Sequence, residues 1–176
     1  MRRPVQVAAV VTAVLATTFV AILGIRLFRA DPAPGRDDAS VALSERNAAV
    51  AAAAEKATLA FLDVDYRSMD SRIDKVLALA TGTFKEQYST ARTNLASAAV
   101  QGKATSIGKV NHVGISEVTR SSAVALVAAD STVSNSLITE AKAKGQSVDE
   151  KRYYRFRLDL RLVKGTWLVN DLQFVG

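Results

Sequence analysis

The apolar positions along this chain fall into three successive patterns, and each predicts a different kind of structure. The first is an unbroken run: from Pro4 to Ile25 the sequence PVQVAAVVTAVLATTFVAILGI carries no charge. As a helix rising about 1.5 Å per residue, such a run matches a hydrocarbon core of roughly 30 Å. A cleaved signal peptide has a shorter apolar region, about 7–15 residues, followed by small residues at its cleavage site. Here the run is longer, and the following RLFRADPAPG offers no clean small-x-small site. Residues 1–29 are therefore expected to be a retained, single-pass transmembrane anchor with basic flanks. Arg2 and Arg3 before the run nearly balance Arg26 and Arg29 after it, so charge alone does not orient it. The very short tail and the long polar remainder predict a C-terminal domain outside the cytoplasmic membrane. Residues 30–39, with two prolines and a glycine, read as a short, semi-stiff linker.

The second pattern has a helical period. Leu43, Val50, Ala54, Ala57 and Phe61 recur on one face and predict a helix over 41–62, with the alanines at 51–54 adding propensity. Met69, Ile73, Val76, Leu77 and Ala80 predict a second helix over 69–80, with Ser68 as its cap and Gly82 as its stop. Thr83-Phe84-Lys85-Glu86 reads as a capping box opening a third helix, whose apolar face is Phe84, Tyr88, Ala91, Leu95 and Ala98 and which ends at Gly102.

After Gly102 the period falls to two. Four strands are expected, at about 104–119, 122–133, 151–164 and 166–175. In the third, Tyr154, Phe156, Leu158, Leu160 and Leu162 alternate with Tyr153, Arg155, Arg157, Asp159 and Arg161, as a half-buried antiparallel strand does. Lys164-Gly165 reads as a tight turn. The polar stretch 135–150 reads as a connection. The expected fold class is α+β: an N-terminal transmembrane helix, then, over residues 40–176, three helices packed on one face of a curved four-stranded antiparallel sheet.

Charge changes this picture little. The chain carries a formal net charge of +6, but residues 36–176 hold 19 basic and 16 acidic side chains. That is too mild a footprint for nucleic-acid binding. The absence of cysteine excludes disulfides, thiolate metal sites and cysteine nucleophiles.

Two segments carry a family likeness. One is Phe61-Leu62-Asp63-Val64-Asp65-Tyr66-Arg67, followed by Val76-Leu77-Ala78-Leu79-Ala80-Thr81-Gly82-Thr83-Phe84. The other is Val124 to Asp130 together with the ending Gly165-Thr166-Trp167-Leu168-Val169-Asn170-Asp171-Leu172-Gln173-Phe174-Val175. With the anchor, their order resembles the Mce-associated membrane proteins of actinobacteria, accessory proteins of the Mce (mammalian cell entry) lipid importers. The ending also resembles the wider nuclear-transport-factor-2-like superfamily, a cone of three helices against a curved antiparallel sheet. The resemblance implies a non-enzymatic role in stabilising or assembling a cell-envelope lipid transporter, with Mce-type subunits or related membrane proteins as partners. It carries over no catalytic or cofactor residue. The alternatives are a cone-fold enzyme of the steroid or polyketide isomerase or dehydratase type, and a secretion-system assembly factor.

Candidate site residues are weighed against that background. Asp63 and Asp65 do not make a calcium loop: Ser68 stands where glycine is needed, and Arg67 would repel the cation. No metal and no cofactor is expected. Asp65, Tyr66 and Arg67 are expected to form a structural helix junction, with Asp65 capping the second helix and Arg67 paired to a neighbouring carboxylate. A proton-transfer site would need Asp65, Tyr66 or the sole histidine, His112, to converge in one pocket. The row Arg155, Arg157 and Arg161 is most simply a solvated sheet face. Its sharper reading is a contact with a partner or with anionic lipid headgroups. Trp167 reads as a core residue.

Overall fold

The computed structural model describes residues 36–176. The anchor expected at 1–29 and the first part of the linker lie outside the described residues. Five helices and five strands follow among the described residues. Helix α1 (Arg36–Leu62) starts before the expected 41. Asp37 and Asp38 lie in its first turn, where carboxylates favour the positive end of the helix dipole. Residues Asp37 to Ser44 are exposed, and the packed unit comprises Ser44–Gly176. Among the described residues no helix is long and apolar enough to cross a membrane.

After α1 the chain forms a two-residue strand, β1 (Val64–Asp65). The sheet therefore has five strands rather than four, because a strand so short leaves no periodicity to read. Helix α2 (Met69–Ala78) stops before the expected Ala80. The chain leaves the helix to bond the last strand: Val169 N–H donates to the Leu79 carbonyl at 2.9 Å, and Thr81 N–H to the Val169 carbonyl at 2.8 Å. Ser68 occupies the N-cap position of α2 but makes no side-chain cap bond. Gly82, expected as a stop, opens helix α3 (Gly82–Thr90) with φ +50°. The N-cap of α3 is Thr81, so Thr83 lies inside the helix and the expected capping box does not form. The expected third helix is in fact two, α3 and α4 (Arg92–Gly102), broken at Ala91, whose ψ is −6°. The Thr90 hydroxyl donates back to the Glu86 carbonyl at 2.9 Å, a local bond that bends helices. The break places Arg92 where its guanidinium bonds Asp70 at 3.0 Å and Asp74 at 2.6 Å, tying α4 to α2.

The remaining strands are β2 (Thr105–Val118), β3 (Ser122–Ser134), β4 (Lys151–Val163) and β5 (Thr166–Phe174). They run in the order β1-β2-β3-β4-β5, each antiparallel to its neighbour. Lys164 and Gly165 both have positive φ, 49° and 82°, which suits the two-residue hairpin turn between β4 and β5. The stretch 135–150 is not simply a connection. It holds helix α5 (Ser136–Ala143), capped by Asn135, whose side-chain oxygen accepts from Ile138 N–H at 2.9 Å.

One apolar cluster joins Val50, Ala54, Ala57 and Leu62 of α1 to Val76, Phe84 and the inner faces of β3, β4 and β5. The β4 alternation holds for Phe156, Leu158 and Leu160, each no more than 1% exposed, but Leu162, beside the turn, is 37% exposed. A smaller cluster of Met69, Ile73 and Ala99 fastens α2 to α4. Thr58 is fully buried, and its hydroxyl is satisfied by the Ala54 carbonyl at 2.8 Å. Trp167, 8% exposed, packs in the main cluster. Replacing it by alanine removes a large buried side chain, so Trp167→Ala is expected to cost about 3–5 kcal/mol. Urea unfolding checks this: an unchanged midpoint and slope would contradict the core assignment.

Candidate docking surface

Leu62, the last residue of α1, lies so close to β2 that a side-chain carbon on Gly108 would stand 2.5 Å from Leu62 Cβ. An isolated glycine inside a strand pattern often marks such a backbone approach, and that signal is present at Gly108. One residue earlier, Phe61 is the hub of an aromatic cluster. Its ring centroid lies 5.9 Å from Phe156, 6.1 Å from Tyr88, 6.2 Å from Phe84 and 6.4 Å from Phe174. Tyr154 stacks on Phe156 at 5.5 Å. These rings fill the space between helices and sheet, and Phe174 remains 65% exposed.

Beyond Leu62 the chain turns through the Asp65-Tyr66-Arg67 junction. The Asp65 carboxylate accepts the Arg67 backbone N–H at 3.1 Å, its Nε at 2.9 Å and its Nη2 at 2.9 Å. Asp65 thus closes the turn itself, and it is Asp65's own backbone carbonyl that accepts Ser68 N–H at 2.9 Å. Its side chain does not cap α2, because it is taken up two residues on, before the helix begins. Arg67 does pair with a neighbouring carboxylate, that of Asp65, and its guanidinium lies 5.7 Å from the Tyr66 ring centre. Hydrogen bonding to Arg67 holds the Asp65 carboxyl below its ordinary value and, reciprocally, raises the Arg67 guanidinium. Tyr66 N–H donates to the Ala104 carbonyl at 3.0 Å, which seats the junction on the start of β2. Asp63 pairs with Arg72 of α2. Both candidate calcium ligands therefore hold guanidiniums.

Three grooves meet around this junction. The first, of about 440 Å³, is lined by Leu59, Asp63, Val64, Asp65, Arg67, Arg72 and the β2 residues Thr105 to Gly108. The second, of about 480 Å³, runs past Phe61, Leu62, Arg152, Tyr154 and Phe174. The third, of about 390 Å³, lies between Tyr66, Lys103 and the start of α5. Thr105 borders all three.

The groups that a proton-transfer site would need are not brought together. Asp65 stands opposite Thr105, while His112 stands opposite Ala128, farther up β2. At about 3.3 Å per strand residue, that separates them by about 20 Å along the strand. Tyr66 borders the third groove and Asp65 the first. Arg155, Arg157 and Arg161 are exposed on the sheet face away from the core, opposite Ala128, Leu126 and Ser122. Arg157 is tied to Asp159 at 3.2 Å. On the same face, Asp130 accepts from the Asn111 amide at 2.9 Å, and that bond, with Lys151 and Lys109 nearby, lowers its pKa.

A family model for proteins described as "Uncharacterized protein Rv1363c/MT1408-like" matches residues 5–176. The chain belongs to this Rv1363c-like family. Rv1363c of Mycobacterium tuberculosis is 28% identical over 131 residues, 74% of this chain and 47% of that protein. The chain thus spans about half the length of this curated relative. Among solved structures, an IcmL-like type IV secretion system protein of Legionella pneumophila superposes with a TM-score of 0.57 at 12% identity, covering 73% of this chain and 91% of that one. CagV, a VirB8 homolog of Helicobacter pylori, gives 0.52 at 13% identity over 73% and 97%. VirB8 of Agrobacterium tumefaciens gives 0.50 at 12% identity over 74% and 92%. At these identities the likeness is one of fold.

The Asp65 junction yields a pH prediction. A carboxyl held below its ordinary value of 3.8 stabilises the fold at pH well above 3.8 and loses that contribution as the pH falls through the depressed folded value. At neutral pH, Asp65→Asn is expected to be milder than Asp65→Ala, since the amide oxygen still accepts the Arg67 N–H. The stability gap between wild type and Asp65→Asn should close on acidification. Melting temperatures across pH check this, and a gap that stays constant down to full protonation would contradict it.

Proposed function

We propose that this Rv1363c-like chain is a membrane-anchored, non-enzymatic accessory protein that stabilises or assembles an Mce-type lipid transport complex, with its domain outside the cytoplasmic membrane. The observation that carries the non-enzymatic part is the filled interior. Phe156, Leu158, Leu160 and Val169 line the space between helices and sheet at no more than 1% exposure, and the rings of Phe61, Phe84, Tyr88 and Phe156 pack together beside them. A cone-fold isomerase or dehydratase needs that space for substrate and needs acid and base groups converging in it. Three grooves instead surround the Asp65-Tyr66-Arg67 junction, one of them bordered by Phe61, Tyr154 and Phe174 of the aromatic cluster, and they set charged side chains beside apolar ones, as protein interfaces do. The lipid-transporter partner rests on the order of anchor, junction motif and ending.

A second reading is that the chain helps to assemble a secretion system. The shared fold favours it: the IcmL-like protein and CagV are type IV secretion system proteins.

Affinity purification of the full chain from membranes in mild detergent tests both. Co-purification of Mce-type subunits, with a fall in their abundance when the chain is deleted, is the expected result. Enrichment of secretion-system components instead would favour the second reading, and unchanged subunit abundance without co-purification would overturn the first. Topology is checked on the same protein. The chain has no cysteine and Ser147 is exposed, so Ser147→Cys should react with an impermeant thiol reagent in intact spheroplasts. Labelling only after lysis would place the domain inside.

A further inference from the structure

We propose that the groove between the end of α1 and the start of β2 seats an acidic, aliphatic segment of a partner protein. This names the partner chemistry of the docking surface and rests on the docking reading given above, not on which complex the partner belongs to.

The first observation is apolar exposure at the groove. Leu59 is 36% exposed and Ile107 76%, and both border it together with Val64. No large hydrophobic among the described residues is more exposed than Ile107. An apolar spot within a charged rim is the usual anatomy of a protein contact.

The second observation concerns which charges remain available. Both Asp65 oxygens are engaged by Arg67, and Asp63 is engaged by Arg72. The guanidiniums are not used up. Among the described residues, Nη1 of Arg67 and Nε and Nη2 of Arg72 make no hydrogen bond. Asp63 Oδ1 is the one carboxylate oxygen of these two ion pairs that accepts no hydrogen bond among the described residues, so unengaged guanidinium nitrogens outnumber unengaged carboxylate oxygens in the groove. A basic segment would find that single oxygen and would meet the free N–H groups of two arginines. A segment bearing carboxylates between aliphatic side chains answers both features. Its carboxylates take charge-assisted bonds from Arg67 and Arg72, and its aliphatic groups cover Leu59 and Ile107. The position of the groove supports the same occupant. It is walled by Gly108, held by Leu62, and by the Asp65 turn, so its shape is set by the packed unit before anything binds.

The test uses isotope-labelled full-length protein in detergent micelles and two probes, the acetylated peptides Leu-Glu-Val-Asp-Leu-Glu and Leu-Lys-Val-Lys-Leu-Lys. The acidic peptide is expected to shift the amide signals of Val64–Arg67 and Thr105–Gly108, and the basic peptide is not. Removing one guanidinium's charge-assisted contacts, by Arg67→Gln or Arg72→Gln, should weaken binding about tenfold. Because those changes also touch the junction, Ile107→Ser provides a second arm: its side chain is exposed, so melting should be unchanged while binding weakens. Equal shifts from both peptides would overturn the proposal. So would shifts centred on Arg155–Arg161, or binding indifferent to Ile107→Ser and to both arginine changes. Response to phosphatidylglycerol vesicles without response to the acidic peptide would replace the protein segment by a lipid surface and overturn it as well. Failure of the transporter assignment in the co-purification experiment leaves this result standing, and failure here leaves that assignment standing.

Discussion

The approach of Leu62 to Gly108 governs how the first helix ends, and much of the molecule follows from it. Protein interiors pack at crystal-like density, so a helix end held against strand backbone has little freedom to shift. With Leu62 seated, Phe61 is placed among Phe84, Tyr88, Phe156 and Phe174. The next residues leave the helix. They turn into the short pairing of Val64 with Ser106 and of Asp65 with Thr105. The Asp65 carboxylate then closes the following turn on Arg67, and α2 begins. The interior and the outer grooves are two sides of one contact.

Apolar side chains pack between helices and sheet, while the ion pairs of the junction line the first groove. Asp63 with Arg72 and Asp65 with Arg67 neutralise one another at the junction, and exposed pairs of this kind contribute little to stability. Their value lies in geometry: they orient guanidiniums around a groove bordered by Leu59 and Ile107. A grooved surface of this kind suits the accessory role proposed above.

The four long strands were legible in the sequence almost residue by residue, whereas the two-residue β1 was not. The long strands are half-buried, so inward Phe156, Leu158 and Leu160 alternate with outward Arg155, Arg157 and Arg161, and a period of two survives in the chain. The helices were legible in number only in part. Thr90 and Ala91 bend what periodicity reads as one helix, and a bend of one residue barely disturbs a stripe of apolar positions. Helix α5 was hidden in a polar stretch because it buries little beyond Ile138, although Asn135 three residues before Ile138 is an N-cap signal. The junction motif was legible as a motif, and the pairing of Arg67 with a carboxylate was foreseen. Which carboxylate Arg72 meets, and the aromatic cluster joining positions 61, 84, 88, 154, 156 and 174, depend on contacts between distant parts of the chain. No local pattern carries them. Gly108 carried a local signal, an isolated glycine in a strand, which the sequence reading did not use.

The central claim is that the seat of Leu62 on Gly108 builds both the closed interior and the outer docking surface. Gly108→Ala tests it most directly, since the added carbon would stand 2.5 Å from Leu62 Cβ, an atom too close to its own backbone to swing aside. The account predicts a stability loss of about 1–3 kcal/mol from overpacking. It also predicts amide shifts spreading from β2 to Val64–Arg67 and to the Phe61 cluster, with the β4–β5 turn at Lys164 and Gly165 unmoved. Unchanged stability together with shifts confined to the immediate neighbours of residue 108 would contradict it.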